Sequence, residues 1–333
     1  MRSMYRILIT FCFFIIGFFF ISSQVAFTKE CNPQSPTTFI FKKEIQYFYI
    51  SGNVATFDPC HKSVDFKNID KKKKKPLVIL IHGGSGKKDT GQISSFLRSN
   101  NFATLELDAY QMNGIVDYNQ SNNSRKYSNA TRQRMIYSAF KGAVDWSMKQ
   151  EGIDSSRIYI YGISNGATVA ANLAAVYDQS IIKAVISEGP THSGMGMPDE
   201  IKTKLILVFG KLDNFGATKK DGWRWIFRSP CFMSISIEDA PKGNTFNCNI
   251  TTQSGDGLVE NHITWFNKQK KKNKNIEIYY YDDAAHGIFH PGGLKISSMV
   301  FKRKEKEITI YSNTGAKPEA LKKFKKDLLT FVN

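Results

Sequence analysis

Short apolar runs that alternate with helical patterns constrain this chain more than any other feature. The runs are Ile45–Ile50, Leu77–Ile81, Phe102–Leu107, Ile158–Tyr161, Ala184–Ser187, Leu205–Phe209 and Ile276–Tyr281. Several are continuous Val/Ile/Leu stretches, the pattern of strands buried on both faces. Between them, Ile136, Ala139, Phe140, Ala143 and Val144 recur at helical spacing, and Leu321, Phe324, Leu328 and Val332 share one side of a terminal helix. The alternation predicts an α/β fold, a mostly parallel, doubly wound sheet flanked by helices. With 41% apolar and 23% charged residues, the chain is too apolar for disorder and too polar for several membrane spans. At 333 residues it is long enough to bury a sizeable core. The pattern lapses at about 214–275, a stretch with Trp223, Trp225 and two cysteines. That stretch reads as an insertion on one domain covering 24–333, because a separate domain there would have a thin core.

Residues 1–23 read as a signal peptide. Arg2 and Arg6 precede an apolar core, Ile7 to Ile21, and Ser22 and Ser23 follow it. The alternative is an uncleaved anchor, but the core is shorter than the ~20 residues that span hydrocarbon. The expected location is therefore secreted or periplasmic. Loss of Arg2 and Arg6 with the leader takes the formal charge from +17 to +15. Cys12 would leave too, so Cys31, Cys60, Cys231 and Cys248 remain. An even number of cysteines in an oxidising compartment predicts two disulfides with three possible connectivities, and proximity favours Cys31–Cys60 and Cys231–Cys248. Their spacing fits no zinc pattern, and neither a metal nor an organic cofactor is expected.

The strongest chemical signal is Gly162-Ile163-Ser164-Asn165-Gly166, between the apolar run RIYIY and an Ala-rich helical stretch. A nucleophile elbow needs this context. Its serine sits in a strained strand-to-helix turn, and side chains two positions away on either side would collide there, so Gly162 and Gly166 fit. A second signal is His82-Gly83-Gly84-Ser85-Gly86 after LVILI. A loop there can aim the Gly84 N–H at a developing oxyanion, with the Asn165 N–H as the other donor. His82 at its start suits orienting the loop better than acting as base. The better base is His286, just past IEIYYY, and the acid candidate is Asp213, just past LILVFG. Both follow the carboxyl end of a strand, where open α/β sheets place their sites. Ser164, Asp213 and His286 then stand in the chain order nucleophile, acid, base. Asp221, Asp239, Asp256 and Asp282 stay open as alternative acids.

The motifs HGGSG, Leu107-Asp108-Ala109-Tyr110, GISNG, GKLDN and AAHGIF, in this order and spacing, resemble the dienelactone hydrolase family of α/β-hydrolases over roughly Pro76 to Gly287. The resemblance implies Ser164 as nucleophile, Asp213 as acid, His286 as base, and Gly84 with Asn165 as oxyanion donors. The chain departs from the family in three ways. The dienelactone hydrolases proper carry a cysteine nucleophile and a glutamate in the first loop, where this chain has Ser164 and Gly83. The segment between acid and histidine is long, and an export signal precedes the domain.

The expected function is a secreted serine hydrolase that cleaves carboxylic esters through an acyl-enzyme, with a small-molecule or lipid-like ester as substrate. The alternatives are a catalytically silent binding protein on the same scaffold, or an acyltransferase or peptidase using the same triad. No nucleic-acid motif is present. Lysines crowd at Lys71–Lys75, at Lys202 and Lys204, and from Lys268 to Lys274, which places them at the amino ends of strands. They read as a solvated rim or as a basic pole that touches an anionic surface peripherally. A monomer is the default.

Overall fold

The computed structural model describes residues 40–42, 47–49, 57–115, 127, 129–190, 195–213, 252–254, 257–259, 262–303 and 306–333. The signal-peptide expectation, Cys31, Cys231, Cys248 and the part of the expected insertion with Trp223 and Trp225 lie outside them. Cys60 is described and exposed. Among the described residues, no helix is long and apolar enough to cross a membrane.

Six of the seven apolar runs become strands of one seven-stranded sheet. In chain order its strands are β3 (Asp65–Lys67), β4 (Lys75–Ile81), β5 (Ala103–Glu106), β6 (Ile153–Ile163), β7 (Ala184–Glu188), β8 (Lys204–Gly210) and β11 (Ile276–Tyr281). In space they run β11-β8-β7-β6-β4-β5-β3. All neighbours are parallel except the edge pair β3–β5. This order, with one antiparallel strand at the edge, is that of the α/β-hydrolase fold. The first run behaves differently. Tyr47–Tyr49 (β2) pairs with Ile40–Lys42 (β1) in a separate two-stranded sheet, so this described part of the run is not in the main sheet. Among the described residues, four other strands stand outside the sheet as two antiparallel pairs. Thr252–Ser254 (β9) pairs with Gly257–Val259 (β10), and Lys295–Arg303 (β12) pairs with Lys306–Thr314 (β13).

Alternation along each strand divides the core into two layers. From β4, Leu77, Ile79 and Ile81 enter one cluster, and Val78 and Leu80 enter the other. From β8, Leu205, Leu207 and Phe209 face the first, and Ile206 and Val208 the second. The first layer is covered by α3 (Asn129–Ser147) and α4 (Asn165–Leu173), and Trp265 of α5 (His262–Lys272) joins it. Ile136, Ala139, Phe140, Ala143 and Val144 are all fully buried there. The second layer takes Ile93 and Leu97 from α1 (Gly91–Ser99), and Phe324, Leu328 and Phe331 from α6 (Pro318–Phe331). Among the described residues, α2 (Ala109–Met112) is a single α-helical turn capped by Asp108. α5 is the crossover that feeds β11. The indole N–H of Trp265 donates to Pro198 O at 2.8 Å, and Gln269 Nε2 donates to Asp199 O at 2.9 Å. The end of the 214–275 segment is therefore packed against the core of the sheet.

Candidate active site

Three side chains singled out from the sequence meet beyond the carboxyl ends of β6, β8 and β11. Ser164 follows β6 at φ 58° and ψ −118°. The left-handed φ is strained for a residue with a Cβ and costs on the order of 1–3 kcal/mol. Its neighbours make the turn this sharp. A Cβ on Gly162 would lie 2.3 Å from Gly166 O, and one on Gly166 would lie 2.4 Å from His82 O and 2.5 Å from Ile81 O. Glycine at both positions lets the helix α4 start hard against the ends of β4 and β6.

Asp213 ends the turn after β8 and is 1% exposed. His286 follows β11, and its Nδ1–H donates to Asp213 Oδ2 at 2.7 Å. Among the alternative acids, Asp282 is turned to solvent and pairs with Lys211. Asp221, Asp239 and Asp256 lie outside the described residues. The close approach of acid and imidazole uses Gly189 at φ +58°, where a Cβ would stand 3.3 Å from His286 Nδ1 and 3.4 Å from Asp213 Oδ2. Leu212 N–H donates to Ala284 O at 2.9 Å, which ties the acid turn to the histidine loop.

Ser164, His286 and Gly84 line one cavity of about 530 Å³. Ile93, Tyr161, Ile163 and Phe289 supply its apolar wall, and Lys88, Asp89 and His290 supply polar groups. Asn165 opens α4, so its N–H is one that a helix leaves without an internal partner. His82 is fully buried and orients the Gly-rich loop. It makes a 2.8 Å hydrogen bond through Nδ1 to Gly83 O, and its Nε2 accepts from Ala109 N–H at 3.0 Å. A carbonyl only accepts, so Nδ1 carries the proton. Asp108 completes the brace by accepting from the N–H groups of Lys87, Tyr110 and Gln111. Gly83 has no room for a side chain, because a Cβ would meet Asp89 Oδ2 at 2.9 Å and Ser164 Cβ at 3.1 Å.

Two acids here were not singled out from the sequence. Burial pushes the Asp89 carboxyl above its ordinary range, against the pull of the His82 and His286 imidazoles and a hydrogen bond from Ser85 N–H at 3.1 Å. Burial likewise pushes Glu188, at the end of β7, up to about 8; the Ile288 N–H lowers it and the Asp213 charge raises it. The signal for Glu188 was available, since a lone acid closes the buried strand AVISE. Asp89 sits in the polar stretch GKKD and gives no such signal. Among the described residues, no group of three or more His, Cys, Asp or Glu is placed to hold a metal ion.

Residues 66–223 match the model of the dienelactone hydrolase family. None of the curated proteins matches the chain in sequence. Among solved structures, a Klebsiella pneumoniae protein described as a dienelactone hydrolase is 12% identical with a TM-score of 0.48, covering 78% of this chain and 87% of its own. A dienelactone hydrolase-like promiscuous phosphotriesterase from metagenomic libraries is 14% identical with a TM-score of 0.42, covering 78% and 86%. An esterase of Pyrococcus furiosus is 16% identical with a TM-score of 0.38, covering 70% and 88%.

Proposed function

We propose that this dienelactone hydrolase-like α/β-hydrolase cleaves carboxylic esters through an acyl-enzyme on Ser164. The observation that carries the reading is one constellation: a serine in a left-handed strand-to-helix turn shares a cavity with a histidine whose far nitrogen is bound to a buried carboxylate. Ser164 Oγ attacks the ester carbonyl carbon as His286 Nε2 takes its proton. Asp213 keeps the Nδ1–H tautomer and stabilises the imidazolium. The carbonyl oxygen becomes an oxyanion held by the N–H groups of Asn165 and Gly84. His286 then returns the proton to the leaving alcohol. Water, activated by the same imidazole, releases the acid and restores Ser164.

Serine in place of cysteine suits this cycle, in which the hydroxyl depends on a neighbouring base. The apolar wall of the cavity suits an acyl chain or an apolar alcohol. Export and the pairs Cys31–Cys60 and Cys231–Cys248 belong to the same proposal. N-terminal sequencing of the exported protein and non-reducing peptide mapping check them.

The decisive experiment uses the mature chain from Gln24 with p-nitrophenyl esters of graded acyl length and a fluorophosphonate probe. Turnover and labelling, both lost in Ser164→Ala, are expected. Labelling without turnover keeps the nucleophile and rejects these substrates. A folded wild type that neither labels nor turns over would sink the hydrolase reading in favour of a binding protein on this scaffold.

A further inference from the structure

Behind the Asp213–His286 pair stands an acid that the proposed reaction does not consume. Glu188 is 2% exposed and closes β7. Its Oε1 accepts from Ile288 N–H at 2.6 Å, and its Oε2 is hydrogen-bonded to Tyr161 Oη. Its main-chain oxygen accepts from Ser164 N–H at 2.9 Å. One residue therefore holds the amide of the nucleophile, a side chain three residues before the nucleophile, and an amide two residues after the base.

We propose that Glu188 is a positioning residue that fastens the His286 loop to the nucleophile turn and so holds the imidazole in register with the Ser164 hydroxyl. The inference rests on the hydrolase reading for its purpose. The fastening itself is independent of that reading. The loop geometry gives it a task. On one side, His286 is tied to the later chain, through its N–H to Asn313 O at 3.2 Å and from Gly315 N–H to its own carbonyl at 3.1 Å. On the other side comes Gly287 at φ +67°, a residue with wide backbone freedom. The next amide, Ile288 N–H, is the one Glu188 takes. That bond fixes the amide of a residue whose side chain is already fully buried in the second core layer, and it aims the backbone directly after the glycine.

Burial keeps Glu188 protonated at neutral pH, so a neutral amide is a fair replacement. In Glu188→Gln the Oε1 keeps the Ile288 N–H, and the Nε2 donates to Tyr161 Oη. Glu188→Met has similar length and no polar atom for either contact.

The test combines ester kinetics with amide hydrogen exchange at Ile288 in the purified protein. Glu188→Gln is expected to keep kcat within about threefold and to leave Ile288 protected. Glu188→Met is expected to lose about 100-fold in kcat at little change in KM, the size of effect that an ångström of misplacement produces, with faster exchange at Ile288. A Met variant with wild-type kcat and protection overturns the proposal. So does a Gln variant that falls as far as Met. If Met does not fold, the Gln variant decides alone: retained kcat and protection support the inference, and loss of either rejects it. Absence of turnover in the wild type would sink the hydrolase reading, while exchange at Ile288 would still read the fastening.

Discussion

At the scale of single residues, the site is built where ordinary side chains are least comfortable. Ser164 occupies φ 58° and ψ −118°, and the turn holds it there because Gly162 and Gly166 leave no slack. Ser164→Gly is expected to abolish fluorophosphonate labelling while raising stability by about 1 kcal/mol. That is the balance between relieved strain of roughly 1–3 kcal/mol and the extra unfolded freedom of glycine, about 0.4–1 kcal/mol. Denaturant unfolding measures it, and a Gly variant less stable than wild type would show that the turn is not strained. Gly166→Ala goes the other way. Its Cβ would press on two carbonyl oxygens at the end of β4 and just beyond it, and these cannot withdraw as a flexible side chain would. A loss of at least about 2 kcal/mol is expected, read by the same denaturant titration. The prediction fails if Gly166→Ala unfolds at the wild-type midpoint.

Among the elements, those legible in the sequence are the ones whose burial leaves a pattern. β4, β7 and β8 are apolar on both faces because both faces are covered, and their runs announce them. The site was legible for the same reason, since Ser164, Asp213 and His286 each follow such a run. Asp65–Lys67 was not legible: an edge strand of three residues with mixed burial carries too little pattern. The helix His262–Lys272 was read as insertion because its outer face is lysine and only part of it is buried. The pair β12 and β13 was missed too, since KISSMVFKR and KEITIYSNT mix lysine and hydroxyl residues with apolar ones and pair outside the main sheet. That hairpin nonetheless returns to the site. Thr314 lines the cavity, and buried Asn313 donates from Nδ2 to Leu212 O at 2.9 Å, one residue before the acid. Asn313→Ala leaves a buried carbonyl without this donor, so a loss of about 1–3 kcal/mol is expected, with lower kcat because the Asp213 turn loosens. Thermal unfolding and ester turnover, measured together, check both, and unchanged values in both would mean that the hairpin does not brace the acid.

For the whole molecule, charge is arranged by the topology. Glu188 is buried at the carboxyl end of β7, with Tyr161, Tyr281 and Asp213 around it. Its ordinary value is 4.5 and its folded value about 8. Between those limits the folded chain keeps a proton that the unfolded chain has lost, so stability falls as pH rises from 4.5 to about 8. Glu188→Gln is expected to flatten that fall, measured as the unfolding midpoint at pH 5 and pH 8, and an equal fall in both proteins would refute it. The lysines stand at the far end. Lys71–Lys75, Lys202 and Lys204, and Lys268–Lys274 lie by the amino ends of β4, β8 and β11, and the site lies by the carboxyl ends of the same sheet. A seven-residue strand such as β4 separates the two poles by about 20 Å, more than two Debye lengths of ~8 Å at physiological salt. Replacing exposed Lys72, Lys73, Lys74, Lys271 and Lys272 with Gln is therefore expected to leave kcat/KM for an uncharged ester within about twofold of wild type, since screened charges at that range barely reach the cavity. The same variant is expected to co-sediment less with anionic vesicles at low salt, because each lysine near such a surface contributes about 1 kcal/mol. A fall in kcat/KM would place the lysines in the path of the substrate. Unchanged vesicle binding would remove the basic pole as a docking surface and leave it a solvated rim.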